Sequence, residues 1–327
     1  MKRREFITLI GGAAALAPFA ARGQQPAMPV VGVLGVESHD IRTDRYRAFH
    51  QGLSETGYVE GKNVAIEYRW SEARNERMPA MAADLVARQV TAIAALGGFP
   101  AATAAKSATA TIPVVFQGGF DPIETGLVAS LNRPGGNLTG VSSLNAELGP
   151  KRLELVHELV PAAKAIALLV NPAHPNTEPQ LRDIQGAALT LGLKIHIVHA
   201  RSERDFDAVF ASVATLRADA LVIINTAPFV GRTGQLGALA ARHAVPTIFQ
   251  NREFAAAGGL ISYEGSNADA FRLAGVYIGR ILKGEKPADL PVQRITKIEM
   301  IINLKAAKAL GITVPLTLLG RADDVIE

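Results

Sequence analysis

From residue 30 onward, short apolar runs alternate with stretches in which apolar residues recur every three or four positions. Residues 30–36 form an unbroken apolar run, which predicts a buried strand, and residues 45–56 carry helical spacing that stops at Gly57. Residues 64–70 alternate with a period of two and predict a half-buried or edge strand. Helix 77–88, strand 91–96, a small-residue helix 101–110 and strand 112–117 follow. A strand-then-helix rhythm of this kind predicts a mostly parallel sheet covered on both faces.

The rhythm breaks at residues 132–137 (NRPGGN), a dense cluster of turn formers, followed by a short extended piece at 138–142. A second series then begins: helix 150–159, strand 165–170, helix 178–191, strand 194–199, helix 203–216, strand 220–224, helix 234–243 and strand 247–250. Two such series predict an α/β protein of two doubly wound, Rossmann-like lobes. The tail adds a strand at 258–263, a strong helix at 269–282, a strand at 299–303 and a helix at 304–310. Periodicity does not say which lobe each of these joins.

The N-terminus bears on compartment. Three basic residues among the first four, an uncharged stretch from Phe6 to Ala21 and small residues around Ala20, Ala21 and Gly23 have the anatomy of a secretory signal over residues 1–23. That stretch is shorter than the ~20 apolar residues of a membrane span, and Gly11, Gly12 and Pro18 dilute it. Adjacent Arg3 and Arg4, followed by Phe6, look like a twin-arginine export signal; an ordinary unfolded-export signal is the alternative. Segment 1–23 holds Lys2, Arg3, Arg4 and Arg22 against Glu5, so its removal takes the formal charge from +4 to about +1. A near-neutral body without a dense basic run offers nothing to nucleic acid or to an anionic membrane. The chain has no cysteine, which excludes disulfides, thiolate chemistry and a lipid-modified Cys at the signal boundary. A periplasmic location follows as the expectation.

Six segments, in order along nearly the whole mature chain, carry a resemblance. They are 57–64 (GYVEGKNV), 112–116 (IPVVF), 121–128 (DPIETGLV), 133–141 (RPGGNLTGV), 281–287 (ILKGEKP) and 302–311 (INLKAAKALG). Together they resemble the ABC-transporter substrate-binding family that includes tryptophan- and tyrosine-type binding proteins. The resemblance implies the type I periplasmic binding protein fold, with three chain crossings between lobes, placed near 140–143, 251–258 and 290–296. The lobes would be 29–141 plus 257–292, and 142–256 plus 293–327. It further implies a monomer that closes by a hinge motion on a small organic ligand, amino-acid-like or an aromatic carboxylate, and presents it to an ABC permease in the inner membrane. One position departs from the pattern: relatives carry an acidic residue, suited to a ligand ammonium, where this chain has Ala227.

In open α/β sheets ligands bind beyond the C-terminal strand ends, where loops and helix N-termini present free N–H groups. The candidates are therefore Ser38 and His39 after the first strand, Gly98 and Phe99 after the third, and Gly119, Phe120 and Asp121 after the fourth. Ser142 at the first crossing, Asn171, Thr226 and Arg252 from the second series, and Tyr263 at the end of a tail strand complete the set. Each has a plainer structural reading. The Gly-Gly pairs serve as tight turns or let a ligand reach backbone N–H groups. Phe99 and Phe120 serve as core or as stacking surfaces. Asp121 reads first as a cap for a helix after Pro122. Arg252 either pairs with Glu253 at the surface or receives a carboxylate, Ser142 is hinge or donor, and Tyr263 is core or cleft wall.

No catalytic constellation assembles. His196 and His199 fall on opposite faces of a strand, and no His-Glu-x-x-His helix, Gly-x-Ser-x-Gly elbow, dinucleotide loop or Walker loop occurs. No cofactor or metal is expected. Two alternatives stay open: a ligand-binding co-receptor for a membrane sensor, which would use the same cleft, and an exported enzyme built on two placed carboxylates.

Overall fold

The computed structural model describes residues 28–36, 44–72, 74–143, 145–174 and 176–327. Ser38, His39 and the export segment lie outside them. The chain first lays down β1 (Val30–Gly35), α1 (Asp44–Glu55), β2 (Ala65–Trp70), α2 (Met78–Ala87), β3 (Ala92–Leu96), α3 (Gly98–Ala108), β4 (Val114–Gly118) and β5 (Leu138–Ser142). It then crosses to a second lobe. That lobe holds α4 (Gly149–Leu159), β6 (Ala165–Val170), α5 (Thr177–Leu191), β7 (Lys194–His199), α6 (Phe206–Thr215), β8 (Ala220–Ile223), α7 (Ala227–Val230), α8 (Thr233–Arg242), β9 (Thr247–Phe249), α9 (Arg252–Ala256) and β10 (Ile261–Gly265). It returns for α10 (Asn267–Leu282) and β11 (Gln293–Arg294), and crosses once more into β12 (Ile298–Asn303), α11 (Leu304–Ala309), α12 (Leu316–Leu319) and β13 (Asp324–Ile326).

The first sheet runs β11-β5-β4-β3-β1-β2 and is parallel throughout. The second runs β13-β12-β10-β9-β8-β6-β7, parallel except that β12 is antiparallel to β10. The two-lobe α/β architecture read from the rhythm is the one observed. Lobe membership needs correction at the tail. Residues 257–265, expected in the first lobe, belong to the second: β10 pairs with β9 and with β12, Tyr263 lying opposite Met300. The second crossing is therefore at 265–267, not 251–258. Likewise β11 extends the first sheet beside β5, and the third crossing follows Arg294. Sequence pattern does not relate a tail strand to one sheet or the other, so only pairing assigns it.

Burial on both faces explains the continuous apolar strands. In the first lobe, Leu34, Ile93, Ala95 and Phe116 pack with α2 and α3, while Val31, Val33, Ala94 and Val115 face α1 and α10. Helices α1 and α10 touch backbone to backbone. A Cβ on Gly52 would collide with the Arg272 carbonyl, and one on Gly275 with that of Phe49. A single larger core, centred on Leu168, Val222, Ile248 and Phe249, holds the second lobe. Among the described residues no helix is long and apolar enough to cross a membrane.

Candidate functional site

The C-terminal strand ends of both sheets face each other across a cleft that holds a cavity of about 100 Å³. One wall is apolar. The β3–α3 turn gives Gly98 and Phe99, and the segment after β4 gives Gly119 and Phe120; α10 adds Phe271. The Phe99 and Phe120 rings meet edge to face at 5.7 Å, which fixes both as a surface rather than as loose side chains. Gly98 has φ +72°, a left-handed conformation that leaves the start of α3 open to the cavity. A Cβ on Gly119 would stand 2.6 Å from Asn225 Nδ2, so glycine is what lets the second lobe approach.

The other wall is polar and mostly uncharged. It comprises His174 and Asn176 after β6, Asn225 and Thr226 after β8, and Gln250 and Asn251 after β9; Asn145 and Asn267 stand at the crossings. Asn225 Nδ2 donates across the cleft to the Gly119 carbonyl at 2.8 Å. Asn267, at the start of α10, donates to Asn251 Oδ1 of the other lobe at 3.1 Å and to Glu264 Oε2 at 2.6 Å. Arg45 of α1 also lines the cavity and pairs across the lobes with Glu253 of α9 at 3.0 Å. Burial works to raise the Glu253 carboxyl, but the Arg45 guanidinium outweighs it and holds the group below its ordinary value. The lobes are thus in contact on either side of the cavity.

Three groups are shifted by burial. His174 is pushed down to about 4, so its imidazole is neutral at physiological pH. Its Nδ1 accepts from the Asn176 backbone N–H at 3.3 Å, which leaves the proton on Nε2, a buried donor with no partner. Glu264 is fully buried and pushed up to about 8, burial outweighing the attraction of Arg45 and Arg152. Arg152 is lowered by burial to about 10 and remains a cation. It donates to the Tyr263 and Asn145 carbonyls at 2.9 and 3.0 Å, tying the first crossing to the second. Thr226 Oγ1 and Gln250 Oε1 are also buried without partners.

Of the residues expected from sequence, Gly98, Phe99, Gly119, Phe120 and Thr226 are brought together on the cavity. The other candidates among the described residues stand elsewhere. Ser142 Oγ donates to the Phe120 carbonyl at 3.0 Å, and so supports the Phe120 loop from behind. Asn171 Oδ1 caps its own turn at Ala173 N. Asp121 Oδ1 accepts from the N–H groups of Ile123 and Glu124; a turn follows Pro122, not the expected helix. Arg252 is exposed and pairs with Asp324 rather than with Glu253. Tyr263 packs against the second lobe's core. The sequence reading missed Arg45, Asn145, His174, Asn176, Asn267 and Phe271 as wall residues. All but Asn145 and His174 sit at or near the first turn of a helix that follows a strand, which is the signal they offered. Among the described residues no group of three or more His, Asp or Glu stands where it would hold a metal ion.

A cleft between two α/β lobes, walled by aromatic rings on one side and amides on the other, is a small-molecule site in its geometry. The family model described as ABC transporter substrate binding protein matches residues 30–326. The chain belongs to that family. Among solved structures, one from Streptococcus pneumonia, described as an ABC domain in complex with L-Trp, is 30% identical to this family member. It covers 91% of this chain and 99% of its own, with a TM-score of 0.83. A conserved domain protein from Vibrio cholerae is 26% identical, with the same coverages and a TM-score of 0.84. A tyrosine-binding protein of Clostridioides difficile is 27% identical over 285 residues, which is 86% of this chain and 80% of the relative. The fold is that of type I periplasmic binding proteins, as the sequence resemblance implied.

Proposed function

We propose that this chain is the periplasmic solute-binding component of an ABC importer, exported by the twin-arginine route, monomeric, and closing by a hinge on a small organic ligand with an aromatic or apolar part. The observation that carries this reading is the cleft cavity whose walls come from both lobes, with aromatic rings on one side and amide side chains on the other. The ring surface formed by Phe99 and Phe120 supports an aromatic ligand group, and Arg45 with the open N-terminus of α3 supports a carboxylate. The three crossings form the hinge.

Thermal-shift screening of the mature protein against amino acids, aromatic acids and other carboxylates tests the reading. A ligand at a hundred times its dissociation constant adds about 2.7 kcal/mol of stability. Absence of any shift across these classes, together with no copurified ligand in native mass spectrometry, sinks it.

A further inference from the structure

Asn251, between β9 and α9, has φ +71° and ψ 134°, a positive φ outside the small left-handed helical region that residues other than glycine adopt. Its side chain is buried, and the orientation of its amide follows from its partners. The Val230 carbonyl takes the single Thr233 hydroxyl proton at 2.7 Å. Thr233 Oγ1 is then an acceptor, and the atom facing it at 3.1 Å is Asn251 Nδ2. Asn251 Oδ1 therefore points at the first lobe. It can only accept, which makes Nδ2 the atom that Asn267 of α10 turns toward it, at 3.1 Å. The same Nδ2 donates to Glu264 Oε2 at 2.6 Å, and Gln117 Nε2 approaches Asn267 Oδ1 at 3.5 Å. A directed line of hydrogen bonds thus runs from Asn267 of the first lobe through Asn251 to Thr233 and Val230 of the second. Glycine at 251 would relax the backbone and forgo this bridge.

We propose that Asn251 is a positioning residue for lobe closure: its backbone is held at a positive φ so that its side chain latches the second lobe to Asn267 of the first. This rests on the hinge reading above and adds to it a bias toward closure that comes from the protein's own bonds. Backbone strain kept at a buried residue whose amide spans two lobes fits a conformational role, because the surrounding fold has to hold the strain in place. A buried hydrogen bond between neutral groups shifts the open-to-closed ratio about two- to ten-fold. That bias is present before any solute enters.

The chain has no cysteine, so one engineered thiol in the cleft reports opening. Thr226→Cys places it on the cavity wall at a buried position. A dye maleimide much larger than the cavity of about 100 Å³ reaches it only when the lobes part, and its labelling rate follows the open fraction. On dialysed mature protein with no solute added, Asn251→Gly and Asn267→Ala are each expected to speed labelling about two- to ten-fold. The double variant is expected to be no faster than the faster single. Asn251→Ala loses the same bond but keeps the strained φ, so it is expected to label like Asn251→Gly and to melt lower; an equal or higher melting temperature overturns the strained latch. Gly119→Leu, which wedges a side chain against Asn225 and Asn145, serves as the open reference, and circular dichroism checks that each variant is folded. Labelling that Gly119→Leu speeds but Asn251→Gly and Asn267→Ala leave unchanged overturns the latch and leaves the hinge reading standing. Labelling that no variant speeds, Gly119→Leu included, overturns both. A thiol placed in the core by Val222→Cys is expected to label far more slowly throughout. Equal rates at the two thiols would mean unfolding, and single effects that multiply in the double variant would mean independent loosening; either overturns the latch.

Discussion

Glu264 closes the last strand before the second crossing and is buried between Arg152, Arg45 and Asn267, with Glu253 and Glu299 adding repulsion. Its carboxyl is pushed up to about 8, from an ordinary 4.5. Below about pH 4.5 the group is protonated in both folded and unfolded chains and has no effect on the equilibrium. Between 4.5 and 8 the unfolded chain ionises while the folded one holds its proton, so stability falls as pH rises through that window. The loss is about 1.4 kcal/mol per pH unit, roughly 3 kcal/mol by pH 7, and levels off above pH 8. Glu264→Gln keeps an oxygen for Asn267 Nδ2 and has nothing to ionise. The variant is expected to match the wild type near pH 4.5 and to exceed it by about 3 kcal/mol at pH 7. At about 2–4 °C per kcal/mol that is roughly 6–12 °C in melting temperature. Scanning fluorimetry on dialysed protein from pH 4.5 to 8.5, backed by urea titration at the two ends, measures it. A stability difference that stays flat with pH, or a variant less stable than wild type at pH 7, would refute the reasoning. Either result means that Glu264 is ionised in the fold and held by the two arginines.

Four further outcomes are expected. His174, pushed down to about 4, disfavours the fold as pH falls from about 6.5 to 4, because only the unfolded chain takes up the proton. His174→Asn should remove up to about 3 kcal/mol of that acid sensitivity, and urea midpoints at pH 7 and 4.5 decide it. Gly275→Ala forces a methyl against the Phe49 carbonyl between α1 and α10 and should destabilise the first lobe by about 1–3 kcal/mol or more; an unchanged melting curve refutes the close packing. Glu253→Gln breaks a half-exposed cross-lobe pair and should weaken binding by no more than about five-fold, most visibly at low salt. Replacing Arg3-Arg4 by Lys-Lys should leave precursor in the cytoplasm on fractionation, whereas normal secretion points to the unfolded-export route.

The site was legible only in part, and the pattern of hits has a physical origin. Gly98, Phe99, Gly119 and Phe120 follow strands directly in chain order, so strand position alone brings them to the cleft. Asp121 and Ser142 sit one residue further along or back, and there the backbone turns their side chains to its own N–H and C=O groups. Asn267 and Phe271 join the wall because α10 leaves the second lobe and docks on α1. That docking depends on Gly52 and Gly275, which look unremarkable in a one-dimensional pattern. The hydrogen bonds that run from Gln250 through Asn225 to the Gly119 carbonyl join positions 131 residues apart and need the lobes to meet.

The sequence by itself determined the layer architecture, because strands buried on both faces must be apolar and helices between them amphipathic. It also carried the family, through segments spread along nearly the whole chain. Tertiary structure alone decided which sheet receives the tail strands, since strand partners are chosen across lobes that the one-dimensional pattern does not relate. It also decided which polar groups of the two lobes meet at the cleft. A contact such as Asn225 Nδ2 to the Gly119 carbonyl depends on what lies opposite, and that is set only once the two lobes are folded against each other.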